Sequence, residues 1–202
     1  MVGDPVAARP EPLALHEHAA GDLSYIRRVM ERGGSFTAVP GWGQAAIGAT
    51  ALLAAALAHR QGTFAGWLTI WLGEALLALA IGLLAMVRKA RRTGVSLLGP
   101  PARKFAIGFA PPLLAGLVLT VVLVRGGAAA AVPGMWLLLY GAGVAAGGAF
   151  SVPVVPVTGG ALMAAGVAAF AAPSAWGDAI LAGGFGLVQV VAGVLIARRY
   201  GG

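Results

Sequence analysis

Hydrophobic residues fall in six long blocks along this chain, and the polar residues sit almost wholly between them. Each block approaches the roughly 17 to 25 residues that a tilted α-helix needs to cross about 30 Å of hydrocarbon. The pattern predicts helices over about 40–59, 64–87, 105–124, 133–150, 153–172 and 178–197. Their connections are short, which favours antiparallel pairing of successive helices. Across the junction of the fourth and fifth blocks runs AGGAFSVPVVPVTGGA, a stretch without charge. It reads as a tight turn or as a re-entrant loop, so four or five crossings stand beside six as alternatives. The fold class is all-α, a polytopic transmembrane helix bundle of six helices.

Residues 1–39 follow a different pattern. MVGDPVAARPEPLALHEHAA has no clear period and reads as a flexible tail. In the next segment Leu23, Ile26, Val29 and Met30 form an apolar stripe against Arg27, Arg28, Glu31 and Arg32. Asp22 suits an N-cap and Gly33-Gly34 a stop. A short amphipathic helix over about 22–32, lying on the membrane surface, is therefore expected. The organisation is a cytoplasmic tail (1–39) and a transmembrane domain (40–202). The tail lacks the short apolar core of a signal peptide, so the first membrane helix is expected to act as an uncleaved insertion signal.

Composition agrees with the pattern. Hydrophobic residues make up 59% of the 202, charged residues 10%, and the mean hydropathy is +0.87, far from soluble norms. A net charge of +7 raises the question of nucleic acid. The basic residues, however, stand beside apolar blocks and leave no domain to read a groove, so no nucleic-acid partner is expected. With six crossings, Arg9, Arg27, Arg28, Arg32, Arg88, Lys89, Arg91, Arg92, Arg103, Lys104, Arg198 and Arg199 fall on one side. The other side holds only Arg60 and Arg125, which puts both termini in the cytoplasm. Within the basic set, Arg88, Lys89, Arg91, Arg92, Arg103 and Lys104 form a cluster expected to meet anionic lipid headgroups, at about 1 kcal/mol for each nearby side chain. Trp42, Trp67, Trp71, Trp136 and Trp176 lie near predicted helix ends, where interfacial anchoring places tryptophan.

Candidate chemistry centres on Glu74, the one ionisable side chain expected within the hydrocarbon. A lone acid there costs about 3 kcal/mol on insertion scales, so it must be buried in the bundle, paired or protonated. Trp67, Ile70, Ala78, Ile81 and Ala85 share its helical face, with Gly82 at the edge. Gln189, at similar predicted depth, is the expected partner, and Gln44, nearer the cytoplasm, a less well placed one. Two readings follow: an interhelical hydrogen bond that fixes packing, or a site for a proton, cation or polar ligand. His16, Glu17 and His18 resemble metal ligands in type, but no third fixed ligand accompanies them, so neither metal nor cofactor is expected. Cysteine is absent, removing disulfides and thiolate sites. Neither a Ser/His/Asp set, an HExxH motif nor a phosphate loop occurs, so no enzyme is expected. Pro111 and Pro112 predict a disturbance in the third helix. The glycines read as helix-packing positions, whose faces also suit a homo-oligomer.

The segments DLSYIRRVMERGGSFTAVPGWGQAAIGA, WLLLYGAGVAAGGAF and IARRYGG resemble a family of uncharacterised bacterial multi-helix integral membrane proteins that carry IR-x-x-MER before the first membrane helix. The resemblance covers nearly the whole chain. It implies a multi-pass protein of a bacterial inner membrane and, since several such proteins are encoded beside small winged-helix regulators, a link to regulation or stress response. It implies no activity, ligand or catalytic residue. The sequence thus favours a structural or regulatory membrane component, with a cytoplasmic protein docked on residues 12–38. The alternative is a small transporter or channel component using Glu74.

Overall fold

The computed structural model describes residues 39–94, 96–149 and 151–200, together with position 23. Apart from Leu23, the amphipathic helix expected over about 22–32 lies outside them. The compact unit Ser35–Gly202 holds six helices long and apolar enough to cross a membrane, and no strand occurs among the described residues. They are α1 (Gly41–Ala58), α2 (Phe64–Thr93), α3 (Pro100–Arg125), α4 (Val132–Gly148), α5 (Val154–Ala171) and α6 (Ser174–Tyr200). The chain is a multi-pass membrane protein with an all-α bundle.

Local chemistry sets the boundaries. Thr63 caps α2, its hydroxyl accepting from the Gly66 N–H at 3.1 Å. At the other end α2 runs past its apolar block through Arg88–Thr93 and stops at Gly94, whose φ of +68° closes the last turn in the left-handed region. Pro100 and Pro101 open α3 at positions where a missing N–H costs nothing. Hydropathy alone ended α2 near 87 and began α3 near 105, but the helix formers Arg88–Arg92 carry α2 beyond its apolar block and the proline-tolerant first turn starts α3 before its own. Pro153 is the N-cap of α5 and Pro156 falls in its first turn. The uncharged stretch 146–161 is therefore shared between the end of α4 and the start of α5, and both are full helices. α3 remains helical through Pro111 and Pro112.

Small residues decide how the helices meet. α4 and α5 cross through reciprocal glycine pairs: a Cβ added at Gly141 or Gly159 would lie 2.7 or 2.6 Å from the other's carbonyl oxygen. Two turns away the same holds for Gly134 and Gly166, at 3.1 and 2.9 Å. α3 and α4 touch at Gly108 and Gly147, and α1 and α6 at Gly48, where a Cβ would sit 2.6 Å from the Gly186 carbonyl oxygen. Without a hydrophobic driving force between helices in lipid, such backbone contact supplies the dispersion energy of association. α1 packs on both α2 and α6, and α4 lies between α3 and α5. Leu137, Leu162, Leu181 and Ile196 fill the core. Leu76, Leu83 and Leu84 of α2 and Ile107, Leu114 and Val118 of α3 stay exposed, an apolar exterior that suits lipid and not water.

One feature of α6 has no counterpart in the periodic pattern. Its α-helical start, Gly177–Leu181, widens into a π-helix over Ala182–Val188 before Gln189–Tyr200 returns to α geometry. Gly183, Gly184 and Gly186 fall in the widened turns. Gly186 packs against Leu52 and Gly48 of α1, and Phe185 reaches Trp71 and Tyr140.

Candidate functional site

Two separate polar sites occupy the middle of the bundle. At the first, Gln189 is fully buried. Its Oε1 accepts a hydrogen bond from Gln44 Nε2 of α1, and its Nε2 donates to the Tyr140 hydroxyl of α4 at 3.0 Å. Aromatic rings close around this cluster. Phe185 meets Tyr140 edge-on at 5.1 Å, and Phe109 meets it from α3 at 5.6 Å. Each amide of the cluster has a partner, as hydrocarbon requires, so this site locks α1, α4 and α6 together.

Glu74 is not part of it, and the expected Glu74–Gln189 pair is corrected by the structure. Glu74 lies ten residues into α2 and Gln189 twelve past Gly177. However, α1 packs on both helices and presents Thr50 to the acid. Thr50 Oγ1 donates to Glu74 Oε1 at 2.9 Å. The same hydroxyl lies 2.9 Å from the Ile47 carbonyl oxygen. It has one proton, so the arrangement serves both forms of the acid. An ionised Glu74 accepts from Thr50; a protonated Glu74 donates to Thr50, whose own proton turns to Ile47.

The acid forms the polar end of a cleft of about 200 Å³ between α1 and α2. Thr50, Leu53, Ala54 and Leu57 line it from α1, and Ile70, Glu74 and Leu77 from α2. Its rim faces outward: Leu53 is 66% exposed and Leu57 53%, whereas Glu74 at its base is 9% exposed. At about 1.5 Å per residue, Glu74 lies roughly 15 Å from the start of α2, close to the midplane of a layer about 30 Å thick. Glu74 is the only ionisable residue that lines the cleft among the described residues.

Most of the remaining polar groups lie toward the ends of the bundle, with the buried Trp71 Nε1 of α2 left without a hydrogen-bond partner among the described residues. Where α1, α2 and α6 meet at the end opposite the basic loop, Trp67 Nε1 donates to Asp178 Oδ1 at 2.6 Å. His59 Nδ1 stands 3.3 Å from Asp178 Oδ2. A second cavity, of about 280 Å³, opens beside them, lined by Gln61, Thr63, Ser174 and the Trp67 and Phe64 rings. At the basic end, Arg88, Arg91, Arg92, Arg103 and Lys104 are exposed, where headgroups would meet them. Lys89 departs from that expectation. It is 6% exposed, and its Nζ donates to the Val39 carbonyl at 2.9 Å and the Tyr200 carbonyl at 3.3 Å. It lies on the side of α2 turned to the start of α1 and the end of α6, so its ammonium takes up the Tyr200 carbonyl, which the C-terminus of α6 leaves unpaired, and the Val39 carbonyl just ahead of α1.

Sequence reasoning missed Thr50, Tyr140 and Asp178. Tyr140 had a signal, being the one tyrosine inside a predicted span, and a buried phenol needs a partner. Thr50 had none, because a threonine in a helix satisfies itself on the preceding turn. No protein-family model, curated protein or solved structure matches the chain.

Proposed function

We propose that the protein is a small transport component of a bacterial cytoplasmic membrane, with both termini inside, working through exchange of the occupant of Glu74. One observation carries this reading over a purely structural or regulatory one. Glu74 stands outside the Gln44–Gln189–Tyr140 cluster, at the base of an open cleft, with a hydroxyl partner that fits either protonation state. A residue kept only for packing has no need of that arrangement, since an acid in hydrocarbon is expensive. The orientation is supported by the basic residues, eight of which lie at the ends of α2 and α6 and the start of α3, against Arg60 and Arg125 at the other end. The resemblance to bacterial multi-helix membrane proteins supports the location.

A lipid-soluble carbodiimide, which reacts with protonated carboxyl groups, tests the reading in native membranes. Mass spectrometry should find one adduct per chain at Glu74, and Glu74→Gln should abolish it. A Glu74 that stays unmodified over long exposure would show an acid sealed in the bundle and overturn the proposal.

A further inference from the structure

The walls of the α1–α2 cleft point to what Glu74 receives. Resting on the reading that Glu74 exchanges its occupant, we infer that the cleft binds a lipophilic organic monocation, one positive charge on an apolar body, entering sideways from the lipid.

The charge follows from the lining. Glu74 supplies one negative charge, and no lysine, arginine or histidine lines the cleft to balance it. In a poorly screened site a complementary charge is strongly favoured over water's ions at a distance. One carboxylate matches one positive charge, and anions are repelled.

The apolar body follows from what the cleft lacks. A hard inorganic cation such as Ca²⁺ or Mg²⁺ must replace its water shell with about six oxygen ligands. Here the only side-chain oxygens are those of Glu74 and Thr50, and Leu53, Ala54, Leu57, Ile70 and Leu77 complete the wall. A phosphonium or a substituted ammonium buries its charge under its own hydrocarbon and needs no such shell. It also gains from contact with those leucines.

The route follows from position. No residue of α3, α4, α5 or α6 lines the cleft, so it lies at the flank of the bundle and not on its axis. The exposed rim of Leu53 and Leu77 lies within about one helical turn of the acid's level and faces lipid, and Leu57 continues that rim toward the end of α1. At about 200 Å³ the space is smaller than the roughly 300 to 1,000 Å³ of ordinary ligand pockets, so part of the ligand stays in the hydrocarbon outside.

Tetraphenylphosphonium is the probe, titrated onto the full chain in lipid nanodiscs. Saturable binding of one equivalent per chain is expected. Glu74→Gln should weaken it about 100-fold, the order for removing one member of a desolvated charge pair, while Glu74→Asp retains measurable binding. Leu53→Trp, which fills the rim and leaves the acid in place, should weaken it about tenfold by steric exclusion. Affinity should fall as pH is lowered, because protons compete for the same carboxylate. Neither the α1 nor the α2 lining contributes another titratable group to that competition.

Equal affinity in the wild type and Glu74→Gln, or no saturable binding, overturns the inference. Should Glu74→Gln fail to fold, the wild type still decides: bound phosphonium should protect Glu74 from the carbodiimide, and absence of protection overturns the inference. A Glu74 that reacts with carbodiimide but ignores phosphonium removes the ligand class and leaves the proposed function standing. A Glu74 that does neither removes both.

Discussion

At the scale of single residues, the bundle shows two ways of keeping a polar group in hydrocarbon. Gln189 is enclosed, with a partner for each end of its amide; Glu74 sits at an opening with a partner that can reverse its role. That Glu74 required shelter was legible, because a charge inside an apolar block has no other stable place. Its partner was not legible, since depth along two helices says nothing about a third helix packed on both. The enclosure of Gln189 makes a direct prediction. Gln189→Leu leaves Gln44 and Tyr140 each short of a hydrogen bond, and should cost about 1 to 3 kcal/mol, read as a lower unfolding midpoint in detergent. Lys89 teaches the same lesson at the basic end. A lysine in a run of exposed arginines looks like its neighbours until the helix face it occupies is known.

For the helices, the periodic pattern found all six, and the differences lie at their ends and inside α6. Apolar blocks measure hydrocarbon thickness, whereas helices end at caps, so α2 reaches Gly94 and α3 begins at Pro100. The π segment Ala182–Val188 was not legible, because a widened turn depends on packing against α1 and α4 rather than on propensity. The glycines could be read as packing positions but not sorted. Gly48 faces the backbone of α6, and Gly73 faces open space. Gly48→Leu should therefore force α1 from α6 and destabilise by about 1 to 3 kcal/mol or more. Gly73→Ala should leave stability unchanged or raise it by up to about 1 kcal/mol through helix propensity. Thermal unfolding of the two variants in the same detergent compares them.

For the molecule as a whole, the alternation of six helices sends the ends of α2 and α6 and the starts of α1 and α3 to one face. That face holds the basic cluster, which the proposed orientation turns to the cytoplasm. The chain has no cysteine, so single cysteines report topology without background. Gln61→Cys, in the exposed turn between α1 and α2, should react with an impermeant maleimide added outside intact cells. Ser96→Cys, in the connection between α2 and α3, should react only after the membrane is opened. The reverse pattern would invert the orientation and leave the fold intact.

Hydrophobic block length and charge placement, both properties of the linear chain, determined that the protein is an all-α bundle of membrane helices and that Glu74 lies within it, while the choice of six crossings over four or five fell to the full helices α4 and α5. They do so because hydrocarbon accepts only apolar surface and internally bonded backbone. Tertiary structure decided which helices touch, and with that the company each polar group keeps. Contact between helices in lipid depends on the shape of facing surfaces, where one glycine turned inward or outward changes the neighbour. So α1, packed on both α2 and α6, gave Thr50 to Glu74 and Gln44 to Gln189, and left a cleft beside the acid.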